Sequence, residues 1–228
     1  MMSVRTTTTT MAKSPMMAER VDVRLKSPFT AMLIGPTGCG KTQLIKRLIA
    51  DATWICTLPP VEIHYCYSEW QTTFDEMPDV VFHEGMVDVD EVAPADGNHR
   101  WLVIDDLLSE TAGKSSTNDL FTKHSHHRNL SVFYLTQKPP FGRELRTVSL
   151  NAHYLFWFKN PRDKLSLVNF AKQAFPGAAS AVTKAYDQAT HRPWSYLLID
   201  LRQETTDSCR LIADYADPER PMGAFKIL

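Results

Sequence analysis

What the sequence lacks narrows its class first. The 228 residues contain no apolar run of the length, roughly 18 residues or more, that a membrane-crossing helix requires. The first residues show no apolar h-region of a secretory leader. Four cysteines, Cys39, Cys56, Cys66 and Cys209, form no C-x-x-C pair. Neither a zinc ribbon nor a disulfide framework is therefore expected, and a reducing, intracellular setting is. An excess of charge is missing too: 25 basic against 26 acidic residues leave a formal net charge of −1. No global basic field points to nucleic acid, although a local basic channel, completed only in an oligomer, is compatible with that balance. No internal repeat occurs. With 43% hydrophobic and 22% charged residues, the chain has the balance of a globular protein, at a length suited to one sizeable core.

Residues 1–20, with the threonine run Thr6–Thr10, have no periodicity and read as a disordered tail. Residues 21–228 read as a single domain. Short apolar runs at 29–34, 61–67, 80–82, 101–105, 131–136 and 154–158 are expected strands, with late ones at 195–200 and 210–212. Helical periodicity marks 42–50, 118–127, 163–174 and 178–189. Strands alternating with helices predict an α/β fold, a central, mostly parallel sheet flanked by helices.

The strongest signal follows the first strand: Gly35, Pro36, Thr37, Gly38, Cys39, Gly40, Lys41 and Thr42 match G-x-x-x-x-G-K-[ST], a phosphate-binding loop between a strand and a helix. Glycines let the backbone turn its N–H groups inward on phosphate oxygens. The following helix adds its positive end. Lys41 is then placed for the β- and γ-phosphates of ATP, and the Thr42 hydroxyl for Mg²⁺.

The strand 101–105 ends in Asp105 and Asp106. This is the pattern of a Walker B element, in which Asp105 holds the water shell of Mg²⁺ and Asp106 orients or deprotonates the attacking water. The next strand ends at Gln137. If that strand is inserted between the two motif strands, its amide sits beside the γ-phosphate and can position water; otherwise Gln137 is a loop residue before Lys138. Arg143, Arg146 and Arg162 are candidates for an arginine supplied to a neighbouring subunit's site, with Arg146 favoured and a surface ion pair the alternative for each.

Taken together, these residues resemble the FtsK/HerA superfamily of P-loop ATPases, and within it the viral genome-packaging branch of poxvirus-like and polinton or virophage-like elements. The matching stretches are Gly35–Thr42, Ile104 to Leu107, His126 to Val132, Tyr134 to Gln137, Arg146 to Asn151 and Phe158 to Asp163. Many members carry Glu as the second acid, whereas this chain has Asp106, one methylene shorter. The resemblance implies an additional-strand, catalytic-carboxylate fold and ATP-driven translocation of double-stranded DNA by a ring of identical subunits. It further implies a portal or capsid protein as a candidate partner, an intracellular or virion-associated location and no membrane.

Other clusters are weaker. His124, His126 and His127 lack a carboxylate or thiol nearby to complete a metal site. Trp70 is either a core or subunit contact or a nucleotide-facing residue. Lys114, in a polar loop at 110–117, and Lys123 are candidates for contacts with DNA phosphates, or belong to an ordinary loop. Two rival functions stay open: a nucleoside or nucleotide kinase, which the paired acids and the lack of an evident arginine-rich lid disfavour, and a nucleotide-dependent switch that hydrolyses ATP only with a partner.

Overall fold

The computed structural model describes residues 22–107, 128–138 and 145–227. The expected tail at 1–20, the loop at 110–117 with Lys114, the helix at 118–127 with Lys123 and the three histidines, and Arg143 lie outside the described residues.

In chain order the elements are β1 (Thr30–Ile34), α1 (Lys41–Ala50), α2 (Ala52–Ile55), β2 (Glu62–Tyr67), β3 (Val80–Glu84), α3 (Val89–Val92), β4 (Arg100–Asp105) and β5 (Leu130–Thr136). They continue with α4 (Arg146–Leu150), β6 (Tyr154–Phe158), α5 (Leu165–Ala174), α6 (Ala179–Ala189), β7 (Tyr196–Asp200), β8 (Leu211–Ala213) and β9 (Gly223–Phe225). Among the described residues, nine strands form one sheet in the order β3-β2-β4-β5-β1-β6-β7-β8-β9.

From β3 to β6 every pairing is parallel, and β7, β8 and β9 are added antiparallel. The change of direction has a simple cause. Helices α5 and α6 form a pair that runs down and back, so the chain returns to the edge where β6 ended and β7 must descend beside it. The strand at 29–34, the acidic strand and the Gln137 strand form where their apolar runs predict. The sequence gives no warning of α4, which begins at Arg146 where only a connection is expected, or of β9.

Strands β1, β4, β5, β6 and β7 are buried along their whole length, which is why they read as unbroken apolar runs rather than alternating ones. Successive side chains go to opposite faces. Met32 and Ile34 of β1 join Ile104, Tyr134 and Trp157 and the helices α5 and α6 in one core. Ala31 and Leu33 join Trp101, Phe133 and Phe156 and the inner face of α1 (Leu44, Ile45, Leu48) in the other. The two cores hold the ends of β1, β4 and β5 rigidly at one edge of the sheet, and that edge carries the polar residues.

Candidate active site

At the end of β1 the Gly35 N–H donates to the Thr136 carbonyl (3.1 Å), so the chain leaves the sheet only after Gly35. A methyl group there would lie 2.7 Å from both the Cys39 Sγ and the Phe158 Cβ; the loop can cross the tip of β6 only as glycine. Gly40 takes φ 103° immediately before α1, a left-handed turn that an L side chain resists. The Leu44 N–H already donates to the Gly40 carbonyl (2.9 Å), leaving the first N–H groups of a ten-residue helix facing the loop, an arrangement suited to an anion. Lys41, buried at the helix start, donates through Nζ to the Gly35 (2.8 Å) and Pro36 (3.2 Å) carbonyls. Its ammonium is thus held within the loop that the phosphates would enter.

Two strands away, β4 delivers Asp105 to the same edge. The carboxylate is buried, and the Tyr65 hydroxyl donates to its Oδ2 at 2.7 Å; the Thr42 hydroxyl bonds to it as well. Burial pushes the Asp105 carboxyl above its ordinary range, opposed first by the Tyr65 hydroxyl and then by the Lys41 charge. Burial and the adjacent Asp105 carboxylate in turn push the Tyr65 phenol up, so Tyr65 stays a neutral donor. Asp106 follows with φ 54°, a left-handed residue that turns the chain out of the strand, its N–H on the Leu135 carbonyl (3.3 Å).

Strand β5 is inserted between β4 and β1, pairing with both, and its tip connects them. Gln137 donates through Nε2 to the Asp106 Oδ2 and accepts at Oε1 from the Thr37 hydroxyl (2.8 Å). Loop, inserted strand and acid pair are therefore joined by a continuous line of polar contacts, Thr37 to Gln137 to Asp106. A cleft of about 740 Å³ runs over this edge, lined by Lys41, Thr42, Asp105, Asp106 and Gln137, and also by Glu69 and Trp70 after β2 and by Phe158, Trp194 and Tyr196 beyond β1. Its volume is in the range of small-molecule and nucleotide sites.

The residues fit a magnesium nucleotide. The hydroxyl of Thr42 and the carboxylate of Asp105, bonded to one another, place two hard oxygen donors side by side, the donor set Mg²⁺ takes. The crowding at Gly35 and the left-handed Gly40 keep the loop backbone bare of side chains.

Candidate residues outside this cluster are placed differently. Arg146, exposed, opens α4, which runs toward the opposite end of the sheet, where His153 accepts the Thr30 N–H at 3.0 Å. Arg162, also exposed, lies past the end of β6 on the same edge as the loop. Neither lines the cleft. Trp70 is half exposed and meets Tyr67, Phe74 and Phe82 edge-on at 5.3–5.5 Å, so it serves an aromatic cluster and the cleft wall at once.

Sequence reasoning missed Tyr65 and Trp194. Tyr65 is one of two tyrosines in its strand; its role arises from the register Tyr65↔Val103, which brings its hydroxyl to Asp105 two residues further along β4. Trp194 did leave a signal, a tryptophan in a polar loop between Pro193 and Ser195, where no core is available to it.

No protein-family model matches the chain, and no curated protein matches it in sequence. Solved structures do. The genome packaging NTPase B204 of Sulfolobus turreted icosahedral virus 2, solved with ATP-gammaS, superposes with a TM-score of 0.52 at 15% identity, over 88% of this chain and 98% of that one. The fold is that of a P-loop NTPase. The cytoplasmic domain of the type VII secretion ATPase EccC from Thermomonospora curvata aligns over 80% of this chain and 23% of its own length, at 12% identity and a TM-score of 0.47. A KaiC-like protein of Pyrococcus horikoshii OT3 covers 87% of the chain at 10% identity and 0.43. The P-loop NTPase architecture accounts for the strand order around β1, with β5 set between the loop strand and the acidic one. No described helix is long and apolar enough to cross a membrane.

Proposed function

We propose that this chain is an ATP-hydrolysing motor of the FtsK/HerA type that translocates or packages double-stranded DNA as a ring of identical subunits. One observation carries the reading: the line of contacts from Thr37 through Gln137 to Asp106. A kinase needs its acceptor on the far side of the γ-phosphate. Here that side is closed by an amide held against a carboxylate, an arrangement suited to orienting water.

The division of labour follows from placement. Lys41 leaves its carbonyl partners to meet the β- and γ-phosphates. Thr42 and Asp105 are the residues that would hold Mg²⁺, which would supply neutralisation of the phosphate oxygens. Asp106 accepts the proton of the attacking water while Gln137 fixes the direction of approach. The described residues lining the cleft include three carboxylates, Glu69, Asp105 and Asp106, and two cations, Lys41 and Arg47. Arg47 lies toward β6 and β7, away from the acids. Among the described residues Lys41 is the cation lining the acid side of the cleft; the charge developing at the γ-phosphate is further met in this reading by an arginine in trans, with Arg146 favoured and Arg143 and Arg162 as alternatives. A portal or capsid protein is the further partner this reading expects.

The test is steady-state ATP hydrolysis with and without double-stranded DNA, beside Lys41→Ala and Asp106→Asn. Stimulation by DNA that both variants lose is the expected result. Turnover indifferent to DNA but raised by an added nucleoside would replace the motor with a kinase.

A further inference from the structure

The order of the strands fixes which way a nucleotide lies. Asp105, Asp106 and Gln137 all sit on the β4–β5 side of β1, so the γ-phosphate end belongs there. The triphosphate crosses the loop over β1, and the base emerges on the other side, over β6 and β7. Strand β6 is parallel to β1 and ends at Phe158 on this edge; β7 is antiparallel, so its first residue, Tyr196, pairs with Phe158 at the same edge. Trp194, two residues earlier, stands where the base emerges.

Three features set Trp194 apart. Its side chain is 70% exposed, although a large apolar ring gains from burial. Its backbone is held at φ 58°, a conformation rare for a bulky residue. And the turn that presents it is tied down: the Ser195 carbonyl accepts from the Lys159 N–H (3.0 Å) and its hydroxyl donates to the Arg192 carbonyl (2.7 Å), while Arg192 pairs with Asp214 at 3.0 Å. The indole lies against the start of α1, its Cβ and Cδ1 3.5 and 3.8 Å from where a Gly40 methyl would be.

We propose that Trp194 is the stacking platform for the purine base of the bound nucleotide. An indole face offers a flat, polarisable surface to a purine ring and needs no edge-specific hydrogen bonds. The strained, braced turn keeps the ring aimed into the cleft before ligand arrives, so little freedom is lost on binding.

This inference rests on the nucleotide-binding reading above, and the experiment separates the two. Calorimetric titrations with ADP and with inorganic tripolyphosphate, both in Mg²⁺, compare the wild type, Trp194→Ala and Trp194→Phe. Loss of a base stack should weaken ADP about tenfold or more in Trp194→Ala, leave tripolyphosphate unchanged and be largely restored in Trp194→Phe. Unaltered ADP affinity in Trp194→Ala overturns the proposal, as does an equal loss of tripolyphosphate, which would mean that the turn merely shapes the loop. A wild type that binds neither ligand overturns the nucleotide reading itself.

Discussion

Removing a single oxygen atom, by Tyr65→Phe, tests how the metal side of the site is held. The ring packs at 4.9 Å from Phe74 and 5.5 Å from Phe82, contacts that phenylalanine preserves, so the change is confined to the hydroxyl and its 2.7 Å bond to Asp105. A hydrogen bond to a buried charge is worth about 1.5–3 kcal/mol. Loss of a group that orients a metal ligand costs about 10- to 100-fold in metal affinity. The two magnitudes agree, and the expected result is a rise of about tenfold or more in the Mg²⁺ concentration for half-maximal activity or nucleotide binding. Stability follows with a definite sign. Burial already raises the Asp105 carboxyl above its unfolded value, so its contribution to stability is full at low pH and is lost as pH rises through the folded value. Deleting the donor raises that value further. The variant should therefore be less stable than wild type by about 1–3 kcal/mol near neutral pH, with the gap closing on acidification as Asp105 becomes protonated, and the acid limb of its activity profile should move to higher pH. Chemical denaturation at several pH values and a Mg²⁺ titration read both effects. An unchanged Mg²⁺ requirement together with an unchanged acid limb would refute the claim that Tyr65 holds Asp105 for the metal.

Gly35→Ala and Gly38→Ala should differ in kind: the first drives a methyl into the Phe158 Cβ and the Cys39 Sγ, whereas the second meets open space and incurs only the left-handed strain of φ 74°, about 1–2 kcal/mol. Thermal unfolding should show the larger loss for Gly35→Ala, and equal losses would refute the crowding argument. Gln137→Glu replaces the amide donor to Asp106 by a like charge. ATP binding should stay within a few-fold while the turnover number falls about tenfold or more, and comparing the binding constant with turnover checks it. Burial holds His64 and His99 below the ordinary histidine value, so the stability they allow is present above about pH 6.5 and is lost as pH falls. His64 is faced by Glu62, His83 and Arg100, and His64→Leu should flatten the fall in unfolding free energy between pH 7 and 5; a slope as steep as wild type would assign that loss elsewhere.

Much of this site was legible because it lies where chain chemistry and local structure coincide. The loop announces itself since glycine at 35 and 40, lysine at 41 and threonine at 42 stand at fixed spacing within one short stretch of chain, between an apolar strand and a helix. Asp105 was legible because a doubly buried parallel strand reads as a continuous apolar run, so the first acids after it mark the sheet edge. Gln137 was half legible: its strand could be read, and its position required the sheet order. Tyr65 could not be found, because its partner lies across a strand pairing that one-dimensional periodicity does not encode. At the far edge β9 was hidden for a similar reason: it is three residues long, too short for alternation to register. The late strands β7 and β8 form where the sequence marks them, but their antiparallel direction was not legible, since it follows from two helices packing as a pair.

The insertion of β5 sets the working distance of the site. Neighbouring strands lie about 4.8 Å apart, so an acidic strand paired directly to β1 would bring its carboxylate one strand spacing from the loop. Placed two strands away, Asp105 and Asp106 stand roughly 9–10 Å from β1, a gap that accommodates a phosphoryl group, a metal with its water shell and one attacking water. Thr42, at the end of the loop, already meets Asp105 across that gap, and Gln137 adds a second tie, standing on the intervening strand with one end of its amide on Thr37 and the other on Asp106. Any displacement of Thr37 as phosphate enters or leaves the loop is then transmitted to Asp106 through two hydrogen bonds. The phosphate loop is thereby tied to the acid pair, and the inserted strand is what makes both the spacing and the tie available.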